Sequence, residues 1–178
     1  MGMVLIVIAA VIVVAVGIVL LLAAGKPDVF RVQRSTSTKA AAEKVFPYLN
    51  DFHQWPTWSP WEKFDPAMKK SFSGSEKGSG AIYEWDGNKK VGKGRMEILE
   101  SSSPGRVKIK LDFLKPFEGH NTAEFTMTRN GDSTEILWAM EGPVPFAMKI
   151  FHVFMNMDKL IGRDFEAGLA NLKAAAEK

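Results

Sequence analysis

The hydrophobic pattern divides the chain into two unlike parts. From Met3 to Ala24 no polar side chain occurs. Roughly 20 apolar residues cross a hydrocarbon core of about 30 Å, and a helix is the single-segment structure that satisfies its own backbone there. A helix packed on a globular core would oppose an apolar stripe with a polar face, whereas this one is apolar all round. Residues 1–25 are therefore read as a transmembrane anchor and residues 26–178 as one soluble domain. A cleavable signal peptide is the competing reading, because Ala23-Ala24-Gly25 resembles a cleavage site. The apolar run is longer than the 7–15 residues usual for a signal, and no Lys or Arg precedes it.

Beyond Lys26-Pro27-Asp28 the period changes to two. Val29–Arg34 alternates as a strand, and Ser35–Thr38 reads as a turn with Thr38 as N-cap. Lys39–Asn50 reads as a helix that Pro47 should kink or shorten. The Pro- and Trp-rich stretch Asp51–Trp61 has no regular period, and a short strand is expected near Lys69–Ser73. Further strands follow at Ala81–Trp85, Gly94–Leu99, Arg106–Phe113, Asn121–Arg129 and Ser133–Glu141. Asn130-Gly131-Asp132 marks a hairpin turn. From Phe146 to Ala175 an apolar stripe at helical spacing predicts one C-terminal helix of seven or eight turns, about 45 Å long. A strand, a short helix, a meander of strands and a long final helix together make an α+β domain.

Charge adds little to this picture. The 23 Lys and Arg and 20 Asp and Glu all lie at or beyond Lys26. They are interspersed, so no nucleic-acid footprint is formed. There are no cysteines, which removes disulfides, thiolate nucleophiles and Cys-based metal sites. The three histidines, His53, His120 and His152, share no ligand spacing, and no metal or cofactor is expected. Nucleophile elbows and phosphate-binding glycine loops are also missing. Gly92-x-Gly94 reads as a bulge or tight turn.

The run Asp51-x-x-x-Trp55-Pro56-x-Trp58-Ser59-Pro60-Trp61, with Gly80-x-x-Tyr83-x-Trp85 and the order of elements, resembles the START-like helix-grip superfamily (SRPBCC). The similarity is to its bacterial polyketide cyclase/dehydrase and lipid-transport branch, and it spans nearly all of Val29–Lys178. The resemblance implies a curved antiparallel sheet of about seven strands wrapped on the C-terminal helix, with an apolar cavity between them. It implies little about chemistry, since one fold hosts many functions.

Within that frame Trp55, Trp58 and Trp61 are read as a rigid apolar flap over the cavity mouth or, alternatively, as a cover on one end of the core. Tyr83, Trp85, Met96, Trp138 and Met140 alternate onto the face that meets the helix, and Phe154, Met155 and Met157 answer from the helix. Such soft walls suit a hydrophobic ligand. Asn121 is the one polar residue that alternation turns inward, either toward a ligand or as a cap on its strand. Arg95, Glu97, Lys110, Asp112 and Glu124 alternate outward as solvated pairs. The leading expectation is a membrane-tethered binding protein for a hydrophobic small molecule or lipid. The alternatives are a cyclase- or dehydratase-like enzyme and an interaction module with a closed core.

Positive charges follow the apolar segment and none precede it, which places the domain on the cytoplasmic side of a single-pass inner-membrane protein. An export role for the segment would instead place it in the periplasm or outside the cell. An anchored chain stays with the membrane through an alkaline carbonate wash. A soluble product beginning near Lys26 would establish cleavage instead.

Overall fold

The structure, a computed structural model, describes residues 2–178. Helix α1 (Gly2–Ala24) is apolar on every side, and its one buried residue is Ala23 in the last turn. The domain that follows is built on a seven-stranded antiparallel sheet in the order β1-β7-β6-β5-β4-β3-β2. The strands are β1 (Val29–Thr38), β2 (Lys69–Gly74), β3 (Ala81–Asp86), β4 (Lys93–Ser102), β5 (Arg106–Lys115), β6 (Gly119–Asn130) and β7 (Ser133–Pro143). Strands β2 to β7 form a meander of neighbours, whereas β1 pairs with β7 at the opposite edge from β2. Helix α2 (Ala42–Asn50), a 3-10 turn over Phe52–Thr57 and helix α3 (Trp61–Phe64) connect β1 to β2. Helices α4 (Phe146–Phe154) and α5 (Met157–Ala176) follow the sheet.

The period-two reading is realised on the inner face. Ala81, Tyr83 and Trp85 of β3, Val107 and Ile109 of β5, and Ile136, Trp138 and Met140 of β7 are all buried. Helix α5 covers this face with Phe165, Leu169 and Leu172, and α2 closes one end with Val45, Phe46 and Leu49. Each such side chain withdrawn from water contributes about 1.5–3 kcal/mol before conformational entropy is set against it.

Three expectations need correction. The final helix is two helices. Met155 adopts extended backbone (φ −120°, ψ 131°), and the Asn156 side chain accepts a hydrogen bond from the Lys159 N–H at 3.0 Å, starting α5 afresh. Asp158 in the new first turn complements the positive end of that helix. Ser35–Thr38 is no turn, since β1 runs on to Thr38, opposite Thr134 of β7. The Thr38 hydroxyl donates to Glu177 (2.8 Å) and accepts from the Ala40 N–H (3.1 Å), so it ties β1 to the C-terminus rather than capping α2. Finally, α2 starts late, at Ala42, and continues three residues past Pro47 to Asn50.

Gly92 has a positive φ of 66°, and the β4–β5 register shifts between Lys93 and Gly94, so the two glycines do mark a bulge. A Cβ on Gly94 would stand 2.3 Å from the Trp85 ring and 2.6 Å from the Asp112 carbonyl oxygen. Overpacking of this kind costs about 1–3 kcal/mol. Gly94→Ala should therefore lower the midpoint of urea unfolding followed by tryptophan fluorescence. An unchanged midpoint would mean that the bulge gives way without cost.

Candidate functional site

Each inner strand is divided between two environments. Ile98, Val107, Ile109, Phe125 and Ile136 lie in a filled core with the C-terminal half of α5. One or two inward positions along the same strands, Tyr83, Trp85, Met96, Leu111, Phe113, Ala123, Trp138 and Met140 instead line a cavity of about 580 Å³. The N-terminal half of α5 supplies Met157, Leu160, Ile161 and Phe165, and α4 supplies Met148 and His152. The helical cover is interrupted at Met155, and α4 and the N-terminal half of α5 line the space rather than fill it. Trp138 stands on the boundary, its rings stacked on Phe165 at 3.9 Å and 6°.

Of the residues expected to meet a ligand, Trp55, Trp61, Tyr83, Trp85, Met96, Asn121, Trp138, Met140 and Met157 lie on the cavity wall. Trp58 and Phe154 do not. Trp58 is wholly buried, wedged edge-on against Phe125 (5.9 Å) and Trp138 (5.5 Å), and its indole N–H donates to the Tyr48 carbonyl at 2.9 Å. The Trp/Pro segment thus runs from the 3-10 turn into α3, with Trp58 between them plugging the core while Trp55 and Trp61 face the cavity. Trp58 takes the place of a core cover, and Trp55 and Trp61 take places on the cavity wall. Phe154 is 73% exposed, because α4 turns that side outward, and Phe151 and Met155 share its exposure. Asn121 is half-buried on the wall, with its Oδ1 occupying the place a Cβ on Gly142 would need.

Sequence reasoning found Tyr83 and Asn121 but missed the ionisable groups Glu62, Asp164 and His152 on the cavity wall. Glu62, on α3, is buried; its Oε1 accepts from the Tyr83 hydroxyl at 2.8 Å, and its other oxygen accepts from Lys70. Its partners lie eight and 21 residues away, so no local pattern announces it. Burial, reinforced by that bond to a carboxylate, pushes the Tyr83 phenol well above its ordinary pKa, and it stays protonated at neutral pH. Asp164, on α5, also lines the cavity, and burial alone raises its carboxyl pKa. Among the described residues it has no ion-pair partner. Its position between Ile161 and Phe165 of the apolar stripe was the available signal. His152, on α4, lines the cavity, where burial and then the nearby Lys26 lower its pKa. His120 behaves oppositely. The hydrogen bond of its Nδ1 to Asp112 (2.8 Å) raises its pKa, and Asp112 is buried rather than solvated as alternation suggested. No cluster of His, Cys, Asp and Glu suited to a metal ion occurs among the described residues.

The same architecture recurs in solved structures. Major latex-like protein 151 from Panax ginseng superposes with a TM-score of 0.61 at 10% identity, covering 85% of this chain and 100% of that one. The Aha1 dimer from Colwellia psychrerythraea gives 0.59 at 12% identity over 83% of this chain and 96% of that one. The di-domain ARO/CYC BexL of the BE-7585A biosynthetic pathway gives 0.60 at 14% identity, with 88% of this chain matching 53% of that one. At these identities the likeness is one of fold. No curated protein matches the sequence. Residues 29–177, from the first residue of β1 to the last turn of the chain, match the family described as polyketide cyclase/dehydrase and lipid transport. Sheet, cavity and closing helices all fall within that span, and the chain belongs to this family.

Proposed function

We propose that the domain binds a hydrophobic small molecule or lipid in the cavity between the sheet and α5, and that α1 tethers it to a membrane. The observation that carries the reading is the cavity itself. Its volume of about 580 Å³ falls within the roughly 300–1,000 Å³ of small-molecule sites, and Trp, Met and Phe are prominent on its wall. Met and aromatic walls adapt to ligands of varied shape. Tethering is supported by the length and composition of α1, which also suit a signal sequence. The charge bias across α1 favours a cytoplasmic domain.

A cyclase- or dehydratase-like enzyme is the second reading, favoured by the carboxylates of Glu62 and Asp164 on the wall. General acid–base work needs a group that exchanges protons near the working pH. Tyr83 is held protonated and Glu62 is engaged by two donors, which speaks for positioning a ligand over reacting with it.

Native mass spectrometry of the purified full chain should find a co-purifying lipid or amphiphile. Leu111→Trp, which fills cavity space, should displace it and abolish saturable, one-to-one binding of a fluorescent fatty acid while leaving thermal unfolding nearly unchanged. Non-saturating dye uptake by the folded parent protein would count against the cavity as a site.

Asp164 allows a separate check. Its folded-state pKa lies above its unfolded value, so folding takes up a proton and the carboxylate destabilises the fold once it is ionised. This penalty is absent below the ordinary carboxylate pKa and complete above the raised one. Asp164→Asn should therefore raise the unfolding temperature at pH 7 and make no difference near pH 3. A variant that is less stable at pH 7 would show that the carboxylate is stabilised by a contact instead.

A further inference from the structure

Helix α4 is built inside out for a soluble protein. Its charged residue Lys149 is buried and bonds Asp28 at 2.6 Å, while Phe146 and Phe151 are half exposed and Phe154 is 73% exposed. Met148 and His152 take the cavity side. The exposed apolar surface continues past the helix. Phe117, on the β5–β6 connection, is 61% exposed, has its ring 6.1 Å from that of Phe151, and lines the cavity as well. Met155 and Leu160, just beyond α4, are exposed too. Monomeric soluble proteins seldom expose contiguous apolar surface of this kind without a partner for it.

The position of the patch identifies the partner. Helix α1 has 23 residues, hence a length of about 34 Å, so a hydrocarbon core of about 30 Å uses nearly all of it. Any element that packs on its last turn stands at the membrane boundary. That element is α4: the two helices are in contact, and Ala23 is the residue of α1 that becomes buried. The Lys149–Asp28 pair and the hydrogen bond from the Val144 N–H to the Asp28 carbonyl (2.7 Å) hold the start of α4 beside the residues that leave α1.

We infer that α4 and the Phe117 turn seat in the headgroup–acyl boundary of the same bilayer that α1 spans, so that the cavity opens onto lipid rather than water. The inference rests on the anchored reading of α1. An amphipathic surface buries its apolar side about 5–10 Å into that boundary, a depth that the projecting Phe151 and Phe154 rings suit. The ligand class follows from this geometry. It is a membrane-resident amphiphile whose apolar part passes between Phe117 and α4 into the cavity without crossing water.

The chain has no cysteine, so single cysteines can carry a polarity-sensitive fluorophore. Full-length Val11→Cys, Phe154→Cys and Ser71→Cys would each be labelled and reconstituted in phosphatidylcholine–phosphatidylglycerol vesicles. All three positions are exposed in the fold, so labelling should leave it intact, as tryptophan fluorescence would verify. Quenching by lipid-borne doxyl groups is then compared with quenching by aqueous iodide. The expected result is lipid quenching at positions 11 and 154, the latter near the headgroup level, with iodide quenching at 71. Lipid quenching at position 11 with iodide quenching at 154 leaves the anchor in place and overturns the docking. A label at 154 shielded from both reagents reports a protein partner or a second copy, which also overturns it. Iodide quenching at position 11 removes the anchor, and the docking falls with it.

Discussion

The contact on which the domain depends is the stack of the Trp138 indole on the Phe165 ring, 3.9 Å between centroids and nearly parallel. It joins the middle of β7 to the middle of α5 and divides the interior in two. Toward the C-terminus of α5, Leu169 and Leu172 meet Ile136, Phe125 and Leu49 in a filled core. Toward its N-terminus, Ile161 and Met157 face Met140 and Leu111 across open space. Trp58 and Phe125 brace the indole from the core side, at 5.5 and 4.8 Å. Aromatic pairs at such distances add about 0.5–1.5 kcal/mol each beyond their buried area. The boundary between core and cavity is therefore held by rings that a ligand could touch but not easily displace.

Polar groups reinforce that division at both ends. On the sheet's β1 edge, the Arg34 guanidinium donates to Asp158 at 2.8 Å and to Glu166 at 2.7 Å, spanning two turns of α5. These carboxylates raise the Arg34 pKa further above its already high value, so the clamp is charged under all ordinary conditions. Gly162 leaves room for it, since a Cβ there would stand 2.0 Å from the guanidinium. On the far side Glu62 draws Tyr83 and Lys70 together and fastens α3 to β2 and β3. Helix α5 and the tryptophan segment are thus tied to the sheet by charge-assisted bonds, of which the buried Glu62 set is the stronger and the exposed Arg34 pairs, screened by water, contribute less.

The strands were legible because alternation is a local signal. Arg106–Phe113 shows it without interruption, and each inward residue of that segment faces the core or the cavity as read. The break at Met155 was not legible for a definite reason. Ile150, Phe154, Met157, Ile161 and Phe165 keep helical spacing across it, so the stripe reads as continuous, and Asn156 alone marks the new start. Thr38 was misread because Ser and Thr serve turns and edge strands alike, and the pairing with Thr134 is visible only across 96 residues. At the site, the apolar wall followed from strand faces and from the family resemblance. The fate of Trp58 did not, since spacing in a proline-rich turn does not say which indole goes inward. Glu62 owes its importance to partners far away in the chain, of which a single sequence carries no local trace, whereas Asp164 was marked only by its place within the apolar stripe of α5.

The discontinuity at Met155–Asn156 also divides the cavity wall mechanically. Helix α5 is tied into the packed interior by the Trp138 stack and to β1 by the Arg34 network. Helix α4 is held by the Lys149–Asp28 pair, its packing on α1 and the Phe117–Phe151 contact, none of which belongs to the hydrophobic core around Trp138 and Phe165. The chamber thus has one wall whose attachments are separate from the packed core. On the binding reading proposed above, an occupant of greater girth would press on that wall first and would leave α5 and the core behind it undisturbed. A single-rod helix, rigid from Phe146 to Ala176, would have transmitted every such change straight into the packed interior.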